Sequence, residues 1–424
     1  MKVIVIGGGI GGLTVALSCH QAGIPVRVFE SVRELSTVGA GINLQPNGTR
    51  ELDELGLGPR LAATGVATAN WSVYNKHGQL IWSEPRGLAA GYRWPQYSIH
   101  RGQLQRVLFD AAVERLGAQN VLTGHHLAAF EQDEKGVTAR FVDRATGQPL
   151  ATEQGDVLIG ADGIHSAVRA FYYPSQGRPR YSGEMQWRAS VEAAPFLDGR
   201  TQVIIGHRSQ RFLAYPMSAD ADARGRSLIN WIAELRMPEN PVPPDWDRRV
   251  AKESFWAPFQ GWKFPRLDVP GVIAATPVIF EFPKCDRDPV KRWSFGRVTL
   301  VGDAAHPMLP TGSQAGSQAV VSARVLVREL MNATPTQAGI EAALKAYEKE
   351  RLEPMAQITL QNRDLGPEEA MQLAEDRAPN GFQNVEDVIP REEMEAITES
   401  YKKRAGFDSA SVNTRPSYIP RRPA

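Results

Sequence analysis

The sequence predicts an α/β chain: a Rossmann-like domain on a parallel sheet, a second domain on an antiparallel sheet, and C-terminal helices. Three observations predict it. The chain opens on "MKVIVIGGGIGG", an apolar run followed by five glycines in six residues. Alternating strand-like runs with few glycine turns occupy residues 184–274, and from about residue 299 a glycine-rich pattern returns ahead of a charged, helical end.

The apolar run at 3–6 is too short for a secretion signal, and glycines interrupt it where such a signal needs continuous helix. It reads as a buried strand. "LTVALSCHQAG" then has helical spacing, with Gly23 placed to cap its end, and residues 25–30 read as a second strand finishing in Glu30. Gly7 permits the tight turn, Gly9 lets the backbone approach a pyrophosphate, and Gly12 lets the helix pack close on the strand. The helix N-terminus turns unpaired N–H groups and a partial positive charge on the phosphates. Glu30 follows at the spacing where a carboxylate accepts the hydroxyls of an adenosine ribose; an acid there disfavours a 2′-phosphate and points to FAD or NAD rather than NADP.

Next comes "STVGAGINLQPNGTRELDELGLG", a long glycine-rich loop of the kind that covers ligands, followed by a short amphipathic helix. Residues 71–99 turn to short strands, with a hairpin around His77 and Gly78, and are expected to contribute to a substrate side. "HRGQLQRVLFDAAVERLG" is an amphipathic helix with Leu104, Val107, Leu108, Ala111 and Val113 on its apolar face. In "GDVLIGADGIHSAVR", residues 155–169, a buried strand precedes Asp162 and Gly163; Ser166 and Arg169 stand one helical turn apart, and Asp162 and Arg169 can pair to fix the loop. The runs "TQVIIG", "RFLAYPMS" and "SLINWIAEL", rich in tryptophan nearby, read as an antiparallel sheet with a linker-like "RMPENPVPPDWD" inside it. "FGRVTLVGDAAHPMLPTGSQAGSQAVVSARVL", residues 295–326, runs strand, Gly302-Asp303, proline-rich turn, glycine turn and helix. Asp303 falls at a strand end, where ligand-binding carboxylates lie, and Gly312 and Gly316 bring a second helix N-terminus toward the same ligand. The expected division is a discontinuous nucleotide domain at 1–183 and 275–364, a substrate domain at 184–274, and a C-terminal helix and extended tail at 365–424. The tail closes in "SVNTRPSYIPRRPA", proline-rich and expected to be extended or disordered.

Composition sets the limits. A chain of 424 residues, 42% hydrophobic and 22% charged, buries a sizeable core in two or three domains. A net charge of +1 gives no electrostatic reason to expect nucleic acid, and no apolar stretch is long enough for a membrane span. Two cysteines, Cys19 and Cys285, indicate neither a disulfide framework nor a zinc cluster and fit a reducing cytoplasm. The histidines show no metal-ligand spacing, so no metal is expected; His125 and His126 read as a surface pair.

The opening fingerprint, the Asp-Gly motif and the Gly-Asp motif, in this order, resemble the class A flavoprotein monooxygenases, the aromatic hydroxylases related to 4-hydroxybenzoate and salicylate hydroxylases, from residue 2 to about 363. "AGINLQPNG", "IWSEPRG", "PQYSIHRGQLQ", "VLIGADGIHSAVR" and "AITESY" are similar to the phenazine-modifying branch of that class. The resemblance implies tightly but non-covalently bound FAD, extended between the two glycine turns. Glu30 would hold the adenosine ribose, Arg101 the pyrophosphate, Leu127 the adenine through its backbone and Asp303 the ribityl chain, while Gly312, Gly316 and Ser317 in the loop 312–317 would face the flavin pyrimidine. Gly41 and Asp162 belong to the same cofactor set. No residue is singled out as catalytic, and His306 reads as a structural turn residue.

The resemblance further implies NAD(P)H as a transient co-substrate, which agrees with the lack of a second complete GxGxxG, and O2 as oxidant. The reaction would hydroxylate a small aromatic or N-heteroaromatic substrate, an acid by preference, through a flavin C4a-hydroperoxide, with N–H groups of the helix after Gly316 stabilising the reduced flavin. Such chemistry needs a water-excluding pocket. It is expected among Trp187, Leu213, Tyr215, Met217 and Trp231, with Pro310 on the opposite wall; Arg188, Arg211 and His207 either meet a carboxylate or sit on the solvent face of a strand. Two positions depart from the family pattern: Ala315 stands where glycine is usual, with Gly316 one place later, and Ser322 stands where many members carry an acid. The alternatives are a non-catalytic flavin or ligand carrier and a flavin-dependent halogenase, whose WxWxIP segment is approached only by Trp262-Lys263-Phe264-Pro265.

Overall fold

Short apolar segments buried on both faces make parallel strands, and in the computed structural model five of them form one parallel sheet in the order Val298–Leu300, Val157–Gly160, Val3–Ile6, Val26–Phe29, Val121–Leu122. The structure describes residues 1–35, 40–239, 248–264, 266–364 and 366–419. Helix Ile10–Ala22 leaves the first strand through the glycine turn and ends at Gly23, whose left-handed φ of 72° lets its N–H reach back to the last carbonyls. It packs on helix Ala315–Asn332, so the first and third glycine motifs lie side by side.

The second sheet has eight strands, in the order Arg249–Val250, Ile279–Asp286, Arg180–Ala193, Ser227–Arg236, Gln210–Pro216, Thr201–His207, Asn70–Tyr74, Leu80–Pro85. Neighbours are antiparallel except Thr201–His207 and Asn70–Tyr74, which run parallel. The sheet therefore extends past the 184–274 span at both ends and takes in the hairpin turned by Gly78, at φ +76°. Trp187, Trp231, Phe255 and Phe259 pack in the core on one of its faces. Helices Glu369–Arg377 and Arg391–Arg404 supply Met371 and Met394 to a core shared with Trp71, Val73 and Ile204 of the sheet.

The end of the chain differs from the extended tail expected of it. Helix Ser409–Thr414 packs on helix Pro46–Glu54, and Val412 and Ile419 are buried. The cause lies in buried charge, which must find partners. Arg50 donates to the carbonyls of Val412 and Arg415, each at 2.7 Å, and the fully buried Glu51 is paired with both Arg324 and Arg415. Residues 420–424, residues 240–247 of the linker-like segment and residues 36–39 of the glycine-rich loop lie outside the described residues. Among the described residues no helix is long and apolar enough to cross a membrane.

Candidate functional site

Between the two sheets lies a cavity of about 270 Å³, lined on the nucleotide side by Gly9, Gly11, Arg101, Gly302, Asp303 and Gly316 and on the far side by Arg188, Leu213, Tyr215, Ile232 and Glu234. The opening glycines have separate geometric reasons. Gly7 sits at φ +105°, and a Cβ there would lie 2.5 Å from the Ala161 carbonyl oxygen. A Cβ on Gly12 would lie 2.0 Å from the Gly7 carbonyl oxygen, so the helix is pressed against its own turn. A Cβ on Gly9 would meet nothing within 4 Å, and the space above that peptide belongs to the cavity.

Gly9 starts helix Ile10–Ala22 with no side-chain cap and no acid in its first turn, and helix Ala315–Asn332 starts in the same way. Two helix N-termini, each with its partial positive charge uncompensated, meet at one cavity. The Glu30 carboxylate accepts the Gly8 N–H at 2.7 Å and the Val32 N–H at 2.9 Å, bracing the turn. Gln105, a residue the sequence reading passed over, donates to the Gly8 carbonyl at 2.8 Å. Its signal was present in "HRGQLQ": it follows Arg101 by one helical turn and so shares that residue's face. Arg101 begins helix Arg101–Leu116 and lines the cavity. Asp303 makes no hydrogen bond among the described residues; burial pushes its carboxyl pKa up, opposed by the Arg101 charge. A carboxylate without donors beside an open glycine cradle and two helix N-termini is the donor and acceptor set that a dinucleotide with a polyhydroxyl chain would satisfy, so the residues present fit FAD. Leu127 is buried in strand His126–Gln132, on the second strand's side of the parallel sheet and outside the cavity lining.

Three cofactor-set residues face elsewhere. Asp162 does not pair with Arg169; its Oδ2 accepts the N–H groups of Ala167 at 2.7 Å and Val168 at 3.3 Å, a local cap on helix Ala167–Tyr172. The buried Arg169 guanidinium instead donates to the carbonyls of Ala304, Ala305 and Asp288, tying the Asp-Gly motif to the Gly-Asp motif. Gly312, at φ +70°, is turned toward the C-terminal helix, where a Cβ would strike the Tyr401 hydroxyl. The Ser317 hydroxyl is buried against the Gln45 N–H, which donates to it at 2.9 Å. Ser313, Ala315 and Gly316 are the members of that loop that line the cavity, together with Thr311 just before it.

The expected aromatic pocket is corrected by strand alternation, since neighbours along a strand face opposite sides. Leu213, Tyr215 and Pro310 line the cavity, but Trp187, Trp231 and Met217 do not. Trp187 stacks on Phe255 at 4.7 Å and donates to Glu281, and Trp231 donates to Thr276, both within the core on the other face. Met217 lies just past its strand and is buried. The residues between them, Arg188, Asn230, Ile232 and Glu234, take the cavity side, so the wall is largely polar. Arg211 is not free for a ligand: it pairs with Glu184, Glu234 and Glu368 at 2.9, 2.5 and 3.0 Å. Burial opposes its charge, yet the three carboxylates push its pKa above the ordinary arginine value. Lys284 joins the cluster through Glu184. Burial raises Glu368, with Arg211 opposing. His207 stands at the end of its strand, outside the lining, with its pKa lowered by burial.

The two departures are also placed. Ala315 heads its helix at the cavity, and a Cβ on Gly316 would lie 2.7 Å from Ile42 Cδ1. Ser322 Oγ lies 3.1 Å from His306 Nε2 and accepts from Arg351 Nε at 3.2 Å, and Arg351 has no carboxylate partner among the described residues. Burial pushes His306 down to about 3, which keeps it neutral and structural. His125 and His126 are half-buried rather than a surface pair: His125 packs beside Phe29 and Phe141, and His126 contacts Ser31 Oγ at 3.1 Å.

Comparison with known proteins gives three findings. The sequence family described as FAD binding domain matches residues 1–362. A phenazine 1,6-dicarboxylic acid hydroxylase from Lysobacter antibioticus is 39% identical over 412 residues, 94% of this chain and 96% of the relative, and a 3-hydroxybenzoate 6-hydroxylase from Polaromonas naphthalenivorans is 29% identical over 86% and 87%. Among solved structures, Klebsiella pneumoniae HpxO complexed with FAD and uric acid superposes with a TM-score of 0.74 at 26% identity, covering 97% of this chain and 96% of that one.

Proposed function

Because the chain belongs to the FAD binding domain family, we propose that it is an FAD-dependent monooxygenase that uses NAD(P)H and O2 to hydroxylate a small aromatic or N-heteroaromatic acid. The observation that carries this reading is one cavity with two walls: the open Gly9 cradle and the unbonded Asp303 on one side, and a sheet face presenting Arg188, Leu213 and Ile232 on the other. Relatives named for a phenazine dicarboxylic acid and for 3-hydroxybenzoate support an aromatic acid as substrate.

Bound FAD supplies the redox chemistry that activates dioxygen. The protein's part is placement and electrostatics. Gly9 and the N–H groups behind it would receive the pyrophosphate, Arg101 would add a cation at the same rim, and Asp303 would hold the ribityl hydroxyls. The uncapped start of helix Ala315–Asn332 would offer its N–H groups to negative charge on the bound cofactor. Leu213, Ile232 and Pro310 keep water from the reacting ring. Two free cysteines, one of them buried, suit a reducing compartment, and the cytoplasm is the proposed location.

The test is NAD(P)H oxidation and O2 uptake by the FAD-loaded protein with a panel of benzoate, pyridine and phenazine acids. Acid-stimulated NAD(P)H oxidation with formation of a hydroxylated product is the expected result. If no member accelerates flavin reduction or yields product, the reading fails and a flavin or ligand carrier replaces it.

A further inference from the structure

We propose that Arg188 is the residue that takes the carboxylate of the aromatic acid, and so determines which side of the substrate faces the sheet; the proposal rests on the monooxygenase reading above. Three cations project from this wall of the cavity or its border, and they differ in what they hold. Arg211 is paired with three glutamates and stands outside the cavity lining, and Lys284 is paired with Glu184 at 2.7 Å and Glu234 at 3.4 Å. Arg188 has no carboxylate partner within ion-pair distance among the described residues. Its guanidinium donates through Nη2 to the Gly41 carbonyl at 3.2 Å, while its buried Nε has no partner. Arg188 is half-buried, and drawing its guanidinium out of water without a counter-ion is costly; the nearby Arg101 charge adds to that cost, while Glu234 and the hydrogen-bonded Tyr215 hydroxyl act in the opposite sense.

Holding Gly41 in place does not require this charge. Asn230 already accepts the Gly41 N–H at 2.6 Å, and Tyr215 and Asn230 are so close that a Cβ on Gly41 would meet both. A neutral donor would serve the remaining carbonyl. What an arginine adds is a fixed charge with a fork of N–H donors matched to a carboxylate.

The neighbours of Arg188 suit the rest of such a ligand. Ile232 stands directly opposite Arg188 on the next strand, and Leu213 stands opposite Ile232 on the strand after that. Strand spacing places Arg188 and Leu213 about 10 Å apart. An aromatic ring lying over Leu213 and Ile232 therefore carries a ring carboxylate to Arg188, with Pro310 of the glycine-loop segment bordering the same cavity. Of Arg188, Arg211 and His207, the three basic residues that the sequence alone left equal, only Arg188 combines a place in the cavity with unused donors.

The experiment titrates FAD-loaded protein with two probe pairs, phenazine-1-carboxylic acid against phenazine and 3-hydroxybenzoate against phenol, and follows the flavin absorption band. Wild type, Arg188→Gln and Arg188→Lys are compared, with flavin content measured for each. The expected result is that wild type prefers the acid, that Arg188→Gln weakens acid binding about 10- to 100-fold while leaving the parent ring within about threefold, and that flavin content is unchanged. Arg188→Lys is expected to fall between, since it keeps the charge and loses the fork. Equal weakening for acid and parent ring, loss of flavin in Arg188→Gln, or absence of acid preference by wild type in both pairs overturns the proposal. Acid-selective binding without hydroxylated product counts against the monooxygenase reading and leaves the anchor standing.

Discussion

Replacing Gly9 and Gly12 separately with alanine divides binding from folding, because the two glycines are required for different reasons. At Gly9 the backbone is extended, at φ −79° and ψ −176°, which alanine adopts without strain, and the added methyl meets no protein atom within 4 Å. Alanine is a poorer N-cap than glycine by about 1 kcal/mol or less, and the smaller entropy of the unfolded alanine chain offsets this by about 0.4–1 kcal/mol. The apoprotein is therefore expected to keep its stability to within about 1 kcal/mol. The same methyl stands where a pyrophosphate must approach the helix N-terminus, and a tenfold or greater loss of FAD affinity is expected, about 1.4 kcal/mol or more. At Gly12 the added Cβ would lie 2.0 Å from the Gly7 carbonyl oxygen, a backbone atom that cannot step aside. Overpacking of this kind costs about 3 kcal/mol, which for a chain of this length is about 3 °C in Tm. Thermal scans of the apoproteins and FAD titrations of both variants are the assay. If Gly9→Ala retains wild-type flavin affinity, or Gly12→Ala melts with wild type, the assignment of the two glycines is wrong.

Four further outcomes are expected. Asp303→Asn removes a half-buried carboxylate that no donor among the described residues satisfies, so the apoprotein gains about 1 kcal/mol or less at pH 7 while flavin retention falls; unchanged flavin content removes Asp303 from the site. His306 is held neutral at about 3 against an ordinary 6.5, so between those values the unfolded chain binds a proton that the folded chain does not, and stability falls with falling pH, by about 2 kcal/mol at pH 5. Ser322→Asp places a carboxylate between His306 Nε2 and Arg351, which has no carboxylate partner among the described residues, and so raises His306 and flattens that slope; melting curves from pH 5 to 7.5 that stay parallel to wild type refute it. Truncation after residue 408 strips Glu51 of Arg415 and Arg50 of two carbonyl acceptors, and a loss of about 3 kcal/mol or more is expected; an unchanged Tm shows the C-terminal contacts to be marginal.

The parts of the site that rest on backbone geometry were legible in the sequence. Gly7 and Gly12 each answer to a local steric demand, Gly9 leaves the space above its peptide open to the cavity, and Gly23 answers to a left-handed helix end, so the strand, turn and helix could be read from residues alone. The substrate wall was not legible for a physical reason. Strand Ser227–Arg236 is buried along nearly its whole length, so "SLINWIAEL" shows no contrast between core and cavity faces, and nothing in it tells that Trp231 faces inward to the core while Ile232 faces the cavity. The Arg211 cluster was hidden differently, since its glutamates come from positions 184, 234 and 368 and meet only through sheet register and a C-terminal segment. The tail misled because its prolines signal extension, whereas the charges it satisfies, Arg50 and Glu51, lie more than 350 residues earlier.

The pairing of helix Ile10–Ala22 with helix Ala315–Asn332 has a consequence for biosynthesis. The glycine turn leaves the ribosome long before the helix facing it, which starts at Ala315, and Arg415, one of the two partners of Glu51, arrives later still. Vectorial, N-terminus-first folding has no finished cofactor site to build on. The nascent Val3–Ile6 strand waits beside strand Val26–Phe29 for its other neighbour, Val157–Gly160, and cofactor loading waits until helix Ala315–Asn332 has been made.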